Sequence, residues 1–235
     1  MHNPIFLAVD KSTREEAIAL LEQVKDFIGG VKLGLEFFNS EGPKGVAAVM
    51  SQVPHLPLFL DLKLHDIPNT VASAVTAVGK VHPAFITIHA AGGEAMIAAA
   101  ANAASQLGSM PPKILAVTVL TSLSEDDLKA TGQETPLRLH VERLARLALS
   151  AGASGLICSP HEIVSLRQNL GKQLVLMVPG IRPRGSDLGD QKRTLTPAEA
   201  IAAGADYLVI GRPITATPNP ARAAEAIMAE LREFA

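Results

Sequence analysis

The chain has 235 residues, is 48% hydrophobic and carries a formal net charge of −2, a length that an α/β barrel uses as one domain. Near-neutral charge gives no general attraction to nucleic acid or to anionic membranes, and 3% aromatics without tryptophan leaves no stacking platform for single strands. The single cysteine excludes an intrachain disulfide framework; Cys158, set in the apolar residues 154–158, reads as a small core residue of a reducing compartment.

The first residues lack a charged region followed by a long apolar stretch, so no secretory leader is expected, and no apolar run reaches spanning length. A cytoplasmic domain over residues 1–235 is the expectation. Short apolar strands then alternate with Ala-rich helical segments. Residues 5–10 form a strand ending in Asp10. Ser12 and Thr13, followed by Glu15 and Glu16, make a capping signature for a helix with apolar positions Ala17, Leu20, Leu21 and Val24. A second strand near residues 28–33 carries Lys32, and its helix covers residues 43–51. The third strand, residues 56–64, opens as a run suited to burial on both faces and then admits Asp61 and Lys63. On a regular strand, residues i and i+2 share a side, so these opposite charges project into one space. Asp66 follows, then Pro68, which suits the first turn of the next helix; Asp66 is also a plausible cap for it.

Strand four covers residues 84–89 and ends in His89. Strand five, residues 113–119, runs into Leu120 and Thr121. A helix over residues 137–150 precedes strand six, residues 155–158. Strand seven is residues 174–178 and strand eight residues 206–210, the latter ending in Gly211 and Arg212; the last helix runs over residues 220–234. Eight βα units with no break in composition predict a closed (β/α)₈ barrel. An open doubly wound sheet is the alternative, and no Gly-x-Gly-x-x-Gly follows the first strand to support it.

Residues 181–194 interrupt the rhythm. The segment is polar, longer than a usual βα loop, and holds Arg182 and Gln191. Such loops in compact domains are usually functional, often lids.

A barrel collects the carboxyl ends of its strands on one face. There the sequence gathers Asp10, Lys32, Asp61, Lys63, Asp66, His89, Thr121, Arg182, Gly211 and Arg212. Gly211 and Arg212, with Arg182 and Gln191 from the lid, form an anion-binding end, and barrels often hold phosphate after strands seven and eight. Lys32, Asp61, Lys63 and Asp66 form an alternating charge array. A lysine between carboxylates keeps its proton, which suits a general acid better than a Schiff-base nucleophile. A carboxylate beside a substrate carboxylate repels it, and the repulsion disappears when CO₂ leaves; the lysine then stabilises and protonates the carbanion. The Asp-x-Lys spacing places an ammonium where a metal cation would sit, and no metal cluster is evident. His65 and His89 read as hydrogen-bonded structural residues.

The run from Asp61 through Lys63, Asp66 and Pro68 to Thr70 closely resembles the signature of the orotidine 5′-phosphate decarboxylase family, in its shorter bacterial branch. The likeness covers essentially the whole chain, including residues 7–10, 31–34, 119–122, 179–183, 189–193 and 209–214. It implies conversion of orotidine 5′-monophosphate to uridine 5′-monophosphate and CO₂, in de novo pyrimidine synthesis, without a cofactor. Position by position, it implies Lys63 as proton donor to C6 and Asp61 beside the substrate carboxylate. Asp10 and Lys32 would meet ribose hydroxyls, with Lys32 also buttressing Asp61, and Thr121 would belong to the loop near the pyrimidine. Arg182, Gln191, Gly211 and Arg212 would serve the phosphate. The resemblance also implies a homodimer in which Asp66 and Thr70 reach the neighbouring subunit's site.

Three other readings have distinct signatures. A sibling barrel with the same Asp-x-Lys-x-x-Asp core, acting on sugar phosphates, would need a divalent metal. A phosphate-ligand binding protein without turnover would be expected to lack Lys63. A Schiff-base aldolase would leave a covalent adduct on borohydride trapping.

Overall fold

Eight apolar runs of three to seven residues become eight strands. In the computed structural model, which describes residues 3–133, 135–184 and 194–233, they are β1 (Ile5–Ala8), β2 (Gly30–Gly34), β3 (Leu58–Leu64), β4 (Phe85–His89), β5 (Lys113–Val117), β6 (Gly155–Ile157), β7 (Val175–Val178) and β8 (Tyr207–Ile210). All neighbours pair in parallel and β8 returns to β1, closing the barrel in sequence order. The helices are α1 (Arg14–Val24), α2 (Leu35–Met50), α3 (Pro68–Val78), α4 (Glu94–Ser105), α5 (Glu125–Ala130), α6 (Leu137–Ser150), α7 (Ile163–Leu170), α8 (Pro197–Ala203), α9 (Arg212–Thr215) and α10 (Pro220–Glu233). The chain is therefore a (β/α)₈ barrel, and the open sheet is excluded.

The local signals act as their chemistry requires. Thr13 caps α1 by accepting from the Glu16 N–H, and α1 buries Ala17, Leu20, Leu21 and Val24 against the barrel. The one-sided apolar stripe does the holding, since an isolated 11-residue helix is marginal in water. Several helical stretches escaped the sequence reading, among them the first half of α2, α5, α7 and the short α9. α2 begins at Leu35 rather than Pro43, because the chain turns sharply at Gly42, with φ 62°, and resumes helix at once. α5 is a short helix held by the capping box of Ser124 and Asp127.

The core has two compartments. Alternate strand side chains such as Leu7, Leu33, Leu60, Ile86 and Ile88 point outward and pack under the helices. The inward set is smaller and includes Phe6, Phe59, Phe85, Leu115, Met177 and Val209. Phe6, Phe59, Phe85 and Tyr207 meet edge to face, with ring centroids 5.3–6.3 Å apart. Such pairs are each worth about 0.5–1.5 kcal/mol beyond their buried area. A chain with seven Phe and one Tyr thus spends half its aromatics plugging the barrel. Gly30 makes this possible, since a Cβ there would lie 2.2 Å from the Phe6 ring. With the axis filled from below, polar side chains are confined to the mouth.

Candidate active site

β3 positions the centre of the site. Its pairing with β4 is regular through Leu60 and Ile86, then slips, so that Leu64 faces Ile88. The irregularity falls on Lys63, which sits in left-handed backbone at φ 49°, a conformation costing a non-glycine residue on the order of 1–3 kcal/mol. The simple period-two expectation therefore fails at Lys63, although its side chain still meets Asp61. The Lys63 Nζ donates to Asp61 Oδ2 at 2.8 Å, and Lys32 Nζ lies 3.7 Å from the same oxygen. Lys32 also donates to Asp10 Oδ1 at 3.4 Å. Thr87, on β4, accepts from the Lys63 N–H at 2.9 Å and donates to Asp61 Oδ1 at 3.0 Å.

Asp61 is thus surrounded by two ammoniums and a hydroxyl. Burial alone would push its carboxyl up. The Lys32 and Lys63 charges, with hydrogen bonds from Lys63 and Thr87, more than reverse this and hold it below the ordinary carboxylate value. Gly34 protects the arrangement from the side: a Cβ there would stand 3.0 Å from Lys32 Nζ.

Beside these charges lies a cavity of about 170 Å³. Lys32, Asp61 and Lys63 line one part of it, and Val117, Val119, Ile157 and Val209 supply apolar wall. Thr121 also borders it, as does the buried Cys158. Burial, then the Glu162 carboxylate, pushes the Cys158 thiol well above its ordinary value, as expected of an inert core residue.

Three expectations need correction. Asp66 stands apart from the array within one subunit: it is exposed, and its Oδ1 accepts from the next residue's N–H at 2.6 Å. The charges that meet in one chain are Asp10, Lys32, Asp61 and Lys63, because β3 has ended before Asp66 and the chain has turned outward. Nor is Asp66 the cap of α3; Ile67 takes that position with no side-chain bond, and Pro68 starts the helix. His65 and His89 lie ring against ring, 5.4 Å apart, and among the described residues neither imidazole ring hydrogen-bonds to protein, contrary to the expectation of hydrogen-bonded structural residues. Burial first, then the nearby His65 and Lys63, lowers the His89 value.

The remaining expected residues lie around the mouth. Thr70 is exposed in the first turn of α3. Arg182 is buried just past β7, with Nη1 donating to Ile181 O at 2.9 Å and its own N–H to Leu195 O at 2.9 Å, which ties together the two ends of the expected lid. Gly211 follows β8, and a Cβ there would press on Ala8 at 3.3 Å and approach Asp10; Arg212 is exposed at the start of α9. Gln191 and most of the expected lid lie outside the described residues.

Residues 3–227 match the family described as "Orotidine 5'-phosphate decarboxylase / HUMPS family". The chain belongs to this family. It is 53% identical to the orotidine 5'-phosphate decarboxylase of Paramagnetospirillum magneticum over 98% of this chain and 99% of that one. The enzyme of the same name from Rhodospirillum rubrum is 51% identical over 97% of this chain and 94% of its own. The crystal structure of orotidine 5'-phosphate decarboxylase from Lactobacillus acidophilus superimposes with a TM-score of 0.86 at 37% identity, covering 97% of this chain and 99% of that one. Family membership and barrel agree with the resemblance carried by residues 61–70. Thr87 is the site residue that sequence reading missed; its one signal was a hydroxyl in the otherwise apolar residues 85–88.

Proposed function

We propose that the chain decarboxylates orotidine 5′-monophosphate to uridine 5′-monophosphate in pyrimidine biosynthesis, with Lys63 as proton donor and no cofactor. The observation carrying this reading is the Lys63 ammonium 2.8 Å from a buried carboxylate, beside an apolar cavity at the barrel mouth. The C6–carboxylate bond breaks, its electron pair stays on C6, and neutral CO₂ departs against the apolar wall. A proton then moves from Lys63 Nζ to C6, and Lys63 regains a proton from solvent. Asp61, held ionised, repels the substrate carboxylate until that charge is lost, while Lys63 opposes the charge left on C6. Both effects are strongest where water is excluded.

Asp10 and Lys32 are assigned to the ribose hydroxyls, Thr121 to the pyrimidine, and Arg182, Gln191, Gly211 and Arg212 to the phosphate. Phosphate binding is remote from C6, so its energy can drive closure of residues 181–194 over the site. The exposure of Asp66 and Thr70, with Ile67 66% exposed between them, supports a homodimer in which this rim completes the partner's site. Residues 1–235 then act as one barrel domain. Among the described residues no helix is long and apolar enough to cross a membrane.

The test is the ultraviolet absorbance loss when orotidine 5′-monophosphate is added to purified protein, with and without a chelator. Turnover unaffected by the chelator is expected. No turnover in either arm would refute the assignment, and turnover lost only with chelator would move the chain to the metal-dependent reading.

A further inference from the structure

Thr87 is fully buried on β4 between Ile86 and Ile88, the two residues between which the β3–β4 register slips. There the backbone N–H of Lys63, turned aside by its left-handed conformation, leaves the ladder, and a buried N–H without an acceptor is costly. The Thr87 hydroxyl takes that N–H at 2.9 Å and hands its own hydrogen to Asp61 Oδ1 at 3.0 Å. Asp61 Oδ2 closes the ring by accepting from the Lys63 ammonium at 2.8 Å. One hydroxyl therefore ties Lys63's backbone to the carboxylate that its own side chain grips.

We propose that Thr87 is a positioning residue of this site, fixing the separation of the Lys63 ammonium and the Asp61 carboxylate through a closed hydrogen-bonded ring. This rests on the decarboxylase reading of the site. β-Branched residues suit strands for packing alone, and Val would serve that purpose equally well. Val preserves the shape and cannot accept from Lys63 or donate to Asp61, so the two roles separate cleanly.

The experiment compares Thr87→Val and Thr87→Ser with the wild-type chain in steady-state decarboxylation and by carbon-13 NMR titration of the Asp61 carboxyl. For Thr87→Val, kcat is expected to fall about 10- to 100-fold, as for loss of sub-ångström alignment, with KM changed less than about 3-fold since Thr87 meets no substrate. Thr87→Ser, which keeps the hydroxyl, is expected to recover kcat to within about 5-fold of wild type. The Asp61 titration is expected to move to higher pH in the Val variant and stay in place in the Ser variant. The groups that face Asp61 otherwise, Lys32, Lys63 and beyond them Asp10 and His89, are common to all three proteins. Should the Val variant not fold, Thr87→Ala takes its place in the same comparison. An unchanged kcat in the variant lacking the hydroxyl, an equal loss in the Ser variant, or an unmoved Asp61 titration would overturn the proposal. A wild-type chain without turnover would instead overturn the decarboxylase reading, and the NMR titration would then decide the role of Thr87 by itself.

Discussion

Asp61→Asn removes one charge and nearly no volume from the most enclosed ion cluster in the site. Lys63 and Lys32 stand 2.8 and 3.7 Å from Asp61 Oδ2, and the side chains of Asp61, Lys32 and Lys63 are 13%, 10% and 28% exposed. At an effective dielectric of about 20, the two attractions are roughly 6 and 4.5 kcal/mol. Desolvation of the three groups offsets much of this, but removing one member leaves two ammoniums facing each other. Breaking a buried pair in this way costs about 3–5 kcal/mol, or on the order of 10 °C in Tm for a domain of this size. The loss also has a pH signature. Because the Asp61 carboxyl is held below its ordinary value in the folded state, its contribution is fully present above the unfolded value of about 4. It is lost as pH falls through the lower folded value, where wild-type Asp61 also becomes neutral. Urea unfolding of both proteins from pH 7 downward is expected to show a wide gap that closes in acid. A gap independent of pH, or an Asn variant as stable as wild type at pH 7, would refute the electrostatic account.

Further outcomes follow from the same geometry. Under the proposed phosphate assignment, Arg212→Ala is expected to raise KM and lower kcat/KM by about 10- to 160-fold, the range of one charge-assisted contact; an unchanged KM in steady-state assays contradicts that role. Mixing an inactive Lys63→Ala protein with an inactive Asp66→Ala protein restores part of the activity if sites are shared between subunits, and none if each subunit is self-contained. Cys158, buried and with its thiol pushed up, resists iodoacetamide at pH 8 in the folded protein and reacts once urea unfolds it; rapid alkylation of the native chain contradicts its assignment to the core.

What could be read from the residues was whatever depends on local pattern. The apolar runs gave the eight strands, and the Thr13 cap with its Ala17, Leu20, Leu21 and Val24 stripe gave α1 with its buried face. Asp61 and Lys63 stood out because charges interrupted a buried run. What escaped depends on partners distant in sequence. The left-handed Lys63 arises from how β3 pairs with β4, and Thr87 acquires its role only when that slip leaves an N–H beside its hydroxyl. Asp66 lies in the loop after β3, only a few residues past Lys63, and sequence proximity alone suggested an array that the turn after Leu64 breaks. The Gly42–Pro43 step reads as a helix start when it is a break inside α2.

The claim on which everything else depends is that Lys63 supplies the proton that replaces CO₂. Turnover and nucleotide binding of Lys63→Ala, measured side by side, test it most directly. Uridine 5′-monophosphate should still bind within about 10-fold of wild type, since the residues assigned to the phosphate are untouched, while kcat falls by at least ~10⁴-fold with the loss of both proton transfer and charge stabilisation. Turnover within 10-fold of wild type would contradict the account.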